Sequence, residues 1–195
     1  MNNELVWCVP REAWNRFAHF EGFQKDEKGS IYRFLLNEGK FHPRIDAEHN
    51  HNLKQVIPQG LLRYQDYLYV NQRLPKQTDD RLLYAYSLGL GGHLNPEDDL
   101  SSHMDLIQIG LHREMAEEAQ LPLPFSPKFI GITNDEQSEI SSLHVGVWFE
   151  IQLVSNEVVI NETEKIRGFW STYHDLSLIS SKFESWAKLI YENYL

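Results

Sequence analysis

The spacing of apolar residues changes period several times along this chain of 195 residues, and each change marks an element. LVWCV at 5–9 is strand-like, and after Pro10 the segment REAWNRFAHFEGF places Trp14, Phe17, Ala18 and Glu21 at helical intervals as far as Gly22. A polar loop from Gln24 to Ser30 follows, then Ile31–Leu36, whose pattern suits either a strand or a short helix. In KQVIPQGLLRYQDYLYVNQR two apolar runs, Gly60–Tyr64 and Tyr67–Val70, flank a turn at Gln65-Asp66, which predicts a hairpin. The polar link LPKQTDDR leads to a strand over Leu82–Leu90 that ends among Gly89, Gly91 and Gly92.

The period then becomes helical. Met104, Ile107, Leu111 and Met115 form one stripe, Ser102 and Asp105 have capping-box spacing, and Pro122 and Pro124 stop the helix, so it is expected to begin near His103. FSPKFIGIT is strand-like, NDEQSE is an acidic loop, and Ser142–Leu153 alternates as a long strand. VVI at 158–160 and a strand-to-turn passage in EKIRGFWSTYHDLSLI precede a C-terminal amphipathic helix through Phe183, Trp186, Leu189 and Ile190. This succession of mixed, mainly antiparallel strands and helices predicts an α/β sandwich.

With 42% hydrophobic and 12% aromatic residues, one well-packed domain is expected over 54–195, with residues 1–53 as an N-terminal extension packing on it. No apolar run reaches membrane-spanning length, the N-terminus lacks a basic n-region, and the single cysteine, Cys8, excludes an intramolecular disulfide. These features predict a cytoplasmic protein with no membrane partner. A net charge of −10 without a basic stripe disfavours nucleic acid as a partner. A small anionic substrate stays compatible, because a bound cation reverses the local field.

The chemistry concentrates in Arg113-Glu114-Met115-Ala116-Glu117-Glu118. Glu114 lies seven residues after Ile107 and Glu118 seven after Leu111, which places both carboxylates on or beside the apolar stripe, with Glu117 flanking them. Carboxylates facing a core need neutralising, and a hard divalent cation prefers such oxygen ligands. On the helix pattern alone, a solvated charged surface segment is the more economical reading. The glycines at the preceding strand end shift that balance, because they let backbone pass close to another group. The histidine-rich FHPRIDAEHNHN, by contrast, reads as an irregular solvated loop and not as a metal site.

The stretch resembles the signature of the Nudix hydrolase superfamily, G-x5-E-x7-R-E-U-x-E-E-x-G-U with U aliphatic. Residues 113–121 match its second half except at Gln120, which replaces the closing glycine; Gly92 fits the opening glycine, and Asp98 stands where the pattern has glutamate. Asp98 and Arg113 are 15 positions apart where the pattern needs eight, so the chain carries a seven-residue insertion that displaces Asp98 to at most an outer-shell place. Beyond the signature, residues 54–175 are similar to a group of bacterial Nudix-like proteins in the order of the KQVIPQG hairpin, the SLGLGGHLNPEDD turn and the HVGVWFE strand.

The resemblance implies an α/β/α sandwich and hydrolysis of a diphosphate linkage in a small-molecule nucleoside diphosphate derivative. Glu114, Glu117 and Glu118 would hold Mg²⁺, with Mn²⁺ as the substitute, Arg113 would orient Glu117, and Gly91 and Gly92 would let backbone approach the phosphates. The general base is open among Glu114, Glu136 and Glu139. The rival reading is a non-catalytic nucleotide-binding module on the same fold. A Nudix-fold isomerase would need a cysteine near the signature, and Cys8 is far upstream. Substrate choice is expected to reside in the loops at 76–81 and 134–141, and Trp170 and Tyr173 are candidates for a homodimer surface.

Overall fold

In the computed structural model, residues 4–75, 84–99, 104–161 and 163–195 are described. Strand β1 (Leu5–Pro10) runs into helix α1 (Arg11–Phe17), followed by β2 (Gly22–Gln24), α2 (Ser30–Glu38), β3 (Lys40–Pro43) and the single turn α3 (Arg44–Ala47). The expected hairpin is present: β4 (Leu53–Tyr64) and β5 (Tyr67–Arg73) pair Tyr64 with Tyr67, and Gln65 takes a positive φ in the turn. Short strands β6 (Tyr86–Ser87) and β7 (Leu90–Gly91) precede a 3₁₀ turn at Pro96–Asp99 and helix α4 (Leu106–Glu118). The remainder is β8 (Ala119–Gln120), β9 (Pro127–Asn134), the short α5 (Glu139–Ser142), β10 (His144–Gln152), β11 (Val159–Ile160), β12 (Ile166–Thr172), α6 (Tyr173–Ile179) and α7 (Ser185–Asn193).

Among the described residues the main sheet has ten strands and a path β12-β5-β4-β10-β9-β2; off this path β1 and β7 also pair with β4, β3 with β1 and β6 with β5. It is mixed: β10 runs parallel to β4 and antiparallel to β9. The period of two along β10 sorts side chains to opposite faces. Val145, Val147, Phe149 and Ile151 join a core with Trp14 of α1, Leu35 of α2 and Ile107, Leu111 and Met115 of α4. Trp148 joins a second core with Leu176 of α6 and Ala187 and Ile190 of α7. Helices therefore cover both faces, which is the expected α/β sandwich. Residues 5–43 are hydrogen-bonded into this same sheet, β1 against β4 and β2 against β9.

Of the strand and the short helix left open for Ile31–Leu36, the helix forms, within α2, whose Ile31 and Leu35 face the core. Other expectations change. The first part of the histidine-rich stretch is ordered as β3 and α3, with Arg44 bonded to Glu4 and Glu48, while residues 48–52, with His49 and His51, form the expected exposed loop. Helix α4 starts later than predicted, because Asp105 is itself the N-cap and accepts from the Gln108 amide; Met104 falls outside the helix and is 41% exposed. Ser102, Leu82 and Leu83 lie outside the described residues. Trp170 is no free surface group: its ring meets Tyr69 edge-on at 5.0 Å and its Nε1 donates to the Asn156 carbonyl. Among the described residues no helix is long and apolar enough to cross a membrane.

Candidate active site

Helix α4 turns Ile107, Leu111 and Met115 into the core, and the same turn of the helix carries Glu114 and Glu118 to its half-buried flanks while Glu117 stays mostly exposed. This is the geometry that the seven-residue spacing implies. Gly60 of β4 lets Met115 pack tightly, since a Cβ there would stand 2.8 Å from the sulfur.

Arg113 organises the acidic cluster. Its Nε donates to Asp98 Oδ1 at 2.8 Å and its Nη2 to Asp98 Oδ2 at 2.9 Å, a bidentate fork on a carboxylate that is almost wholly buried. Nη1 reaches Glu114 Oε1 at 2.8 Å and Glu117 Oε1 at 3.2 Å, and Nη2 also donates to the His93 carbonyl at 2.7 Å. The hydrogen bond to Asp98 keeps the guanidinium charged far beyond its ordinary range. Burial raises the Glu114 carboxyl above its usual value, against the opposing pull of Arg113. Asp98 is thus an anchor for Arg113, and the inserted residues do not separate the two; Asp98 also accepts from the Asn95 amide, which closes the 3₁₀ turn under α4.

Two glycines of the strand end stand close to neighbouring groups. Gly91 has φ +154°, and a Cβ there would collide with the Pro58 carbonyl oxygen; its amide donates to Glu118 Oε2 at 2.9 Å. A Cβ on Gly92 would collide with the Glu114 carboxylate. A side chain on Gly92 would displace the Glu114 carboxylate, and one on Gly91 would press on the β4 backbone.

At the C-terminal end of α4, Gln120 stands outside the helix. The helix ends at Glu118 and Ala119 is fully extended, so the closing position of the signature needs no left-handed glycine here; Gln120 lies in β8, paired with β11. The cap comes from elsewhere: Asn161 Nδ2 donates to the Ala116 and Glu117 carbonyls at 3.1 and 2.9 Å, and its amide to the Glu118 carbonyl at 2.9 Å. Sequence reasoning missed Asn161 because it is 43 positions beyond Glu118 in the chain and carries no local signal.

Gly91, Gly92 and Glu118 open onto a cavity of about 570 Å³ whose walls include Asn71, Trp186, Glu139 and His144. His93, on the same wall, donates from Nε2 to Gln55 Oε1 at 2.9 Å, because that oxygen can only accept. Burial, with Arg44 nearby, lowers His93 to about 3, and burial also lowers His144, whose Nδ1 is 2.7 Å from the Ile140 carbonyl; both rings are neutral near pH 7. Glu139 starts the short helix α5, capped by Ser138 and Ser141. Glu136 does not reach the cavity wall. It is held between Lys54 and Arg11, whose hydrogen bonds outweigh burial and keep its carboxyl below the ordinary value.

The donor set suits a hard cation in kind, all carboxylate or carbonyl oxygen, with the glycine-lined space beside Glu114. Among the described residues no three His, Cys, Asp or Glu side chains already converge on one point: Arg113 takes Oε1 of Glu114 and Glu117, and Glu118 leans to Gly91.

No protein-family profile matches the chain. YmaB of Bacillus subtilis is 28% identical over an alignment 197 positions long that covers 96% of each chain. Among solved structures, Tm1382, a candidate Nudix hydrolase, superposes with a TM-score of 0.82 at 27% identity over 97% of both chains. The NUDIX hydrolase of Nitrosomonas europaea gives 0.52 at 18% identity over 72% of this chain and 88% of that one. The NUDIX domain of Shewanella oneidensis NrtR, solved with ADP ribose, gives 0.54 at 13% identity over 71% and 84%.

Proposed function

We propose that this chain, which has the fold of Nudix hydrolases, is one of them and hydrolyses the diphosphate linkage of a nucleoside diphosphate joined to a second group, with a divalent cation, Mg²⁺ before Mn²⁺, at the α4 carboxylates. The observation that carries the reading is the union of the Arg113–Glu118 cluster with the cavity through Gly91, Gly92 and Glu118. The compound bound by the NrtR domain, ADP ribose, has this chemistry and is the natural first compound to assay.

Glu114, Glu117 and Glu118 would hold the cation. When bound, it supplies positive charge against the diphosphate and acidifies the attacking water. Arg113 orients Glu114 and Glu117 and is itself aimed by Asp98. Gly91 and Gly92 let the strand end come close to the phosphates. Water attacks one phosphorus, the bond from that phosphorus to the bridging oxygen breaks, and two monophosphates leave. The proton of the water falls to Glu139, because Glu136 is committed to Lys54 and Arg11 and Glu114 to Arg113, whereas Glu139 stands on the cavity wall. The cavity encloses the second group of the substrate.

The test is a panel of nucleoside diphosphate sugars, dinucleotides, coenzymes and oxidised nucleoside triphosphates with Mg²⁺ or Mn²⁺. Cation-dependent cleavage is expected in the native protein and is lost in Glu117→Gln/Glu118→Gln. Turnover that survives the double substitution removes the site. Cleavage of nothing, with nucleotide bound in calorimetry, would favour the second reading, a nucleotide-binding module; the engagement of Glu114 and Glu117 by Arg113 is the observation on its side.

A further inference from the structure

The loop that carries Glu139 is gripped from behind by charged groups outside the cavity. Lys54, on β4, is completely buried, and its ammonium lies 2.7 Å from Asn134 Oδ1, 2.7 Å from Glu136 Oε1, 2.9 Å from the Ser142 carbonyl and 3.4 Å from the His144 carbonyl. These acceptors come before, within and after the segment 135–142, so one ammonium gathers both ends of the loop. A buried ammonium is costly unless oxygens surround it, and this one is surrounded by groups of a single loop and its flanks. Burial accordingly pulls the Lys54 ammonium below its ordinary range while the hydrogen bond to Glu136 opposes the fall.

The second cation comes from the N-terminal region. Arg11, first residue of α1, donates through Nη1 to Glu136 Oε2 at 2.8 Å, through Nη2 to the Ser142 carbonyl, and through Nε to the His51 carbonyl at 2.5 Å. Glu136 is therefore bridged, one oxygen to Lys54 and the other to Arg11. The pairing of Cys8–Pro10 with Leu53–Gln55 holds Arg11 beside the strand that carries Lys54. Inside the loop, Ser138 and Ser141 cap each other's backbone, so 138–142 is a small rigid unit whose placement depends on the clamp.

We infer that Arg11, Glu136 and Lys54 are positioning residues that fix the 135–142 loop and thereby hold Glu139 at the cavity wall. The inference rests on the assignment of Glu139 as proton acceptor. The N-terminal extension then takes part in building the site without touching substrate.

The test is a double-mutant cycle of Arg11→Ala and Glu139→Gln on the full chain, with kcat and KM for the best substrate of the panel and amide hydrogen exchange over 137–142. Arg11→Ala is expected to lower kcat roughly tenfold or more, as a misplaced reacting group does, with KM within about threefold. In the Glu139→Gln background the same substitution should cost less than about twofold. Exchange over 137–142 should rise about tenfold while β4 and β10 stay protected. Arg11→Lys, which keeps the Glu136 contact and loses the fork, should recover part of the rate. Glu136→Gln serves as the second variant if Arg11→Ala does not fold. Equal Arg11 costs in both backgrounds, or unchanged exchange at 137–142, overturn the clamp. Native turnover in Glu139→Gln overturns the Glu139 assignment instead, so the two failures are told apart.

Discussion

At the scale of single residues, Arg113 shows why charge counting and charge placement differ. The run of four charged residues on one helix suggests several ligands and one orienting partner; Arg113 does pair with Glu117, but its bidentate hold is on Asp98, which the signature spacing had set aside. Removing Arg113 strands a buried Asp98 and a half-buried Glu114, so Arg113→Ala is expected to cost about 3–5 kcal/mol in urea unfolding, whereas Arg113→Lys, which keeps charge and loses the fork, should cost less. His93 provides the pH test. Its folded value of about 3 lies below the ordinary 6.5, so the unfolded chain binds the extra proton across that window and stability falls as pH drops from 6.5 towards 3. The slope this group adds is at most about 1.4 kcal/mol per pH unit. Urea midpoints between pH 7 and 4 should show a flatter profile for His93→Gln than for the native chain.

At the scale of elements, the period of a helix or strand is readable and its ends are not. Ile107, Leu111 and Met115 predict the buried face of α4, but its start is moved by the Asp105 cap and its end is set by Asn161, a residue on the far side of β11. Asn161→Ala should cost about 1 kcal/mol in stability for the lost hydrogen bonds and, by fraying the turn that carries Glu117 and Glu118, weaken cation binding measured by calorimetry. The strand end is equally specific. Gly91→Ala meets both a positive φ and the Pro58 carbonyl, and is expected to lose at least about 1–3 kcal/mol together with the Gly91 amide contact to Glu118; a native melting temperature in that variant would contradict the geometry.

At the scale of the whole molecule, the cation proposed for the α4 carboxylates would tie ligand binding to folding stability. A cation that binds only the folded chain stabilises it by mass action, by about 2.7 kcal/mol at 100 times its Kd. Melting temperature should therefore rise with added Mg²⁺, fall on chelation, and respond to neither in Glu117→Gln/Glu118→Gln. By itself the amino-acid sequence determined the sandwich class, the hairpin, the face of α4 and the identity of the Arg113–Glu118 cluster, because these depend on local periodicity and on residues within two turns of one helix. The tertiary structure alone decided that Asp98 meets Arg113, that Asn161 caps α4, that Glu136 is withdrawn into a pair of cations while Glu139 faces the cavity, and that β1 and β2 belong to the main sheet. Each of these joins residues from 15 to 125 positions apart, and contacts of that kind follow from strand order and packing, on which the period of a short stretch carries no information.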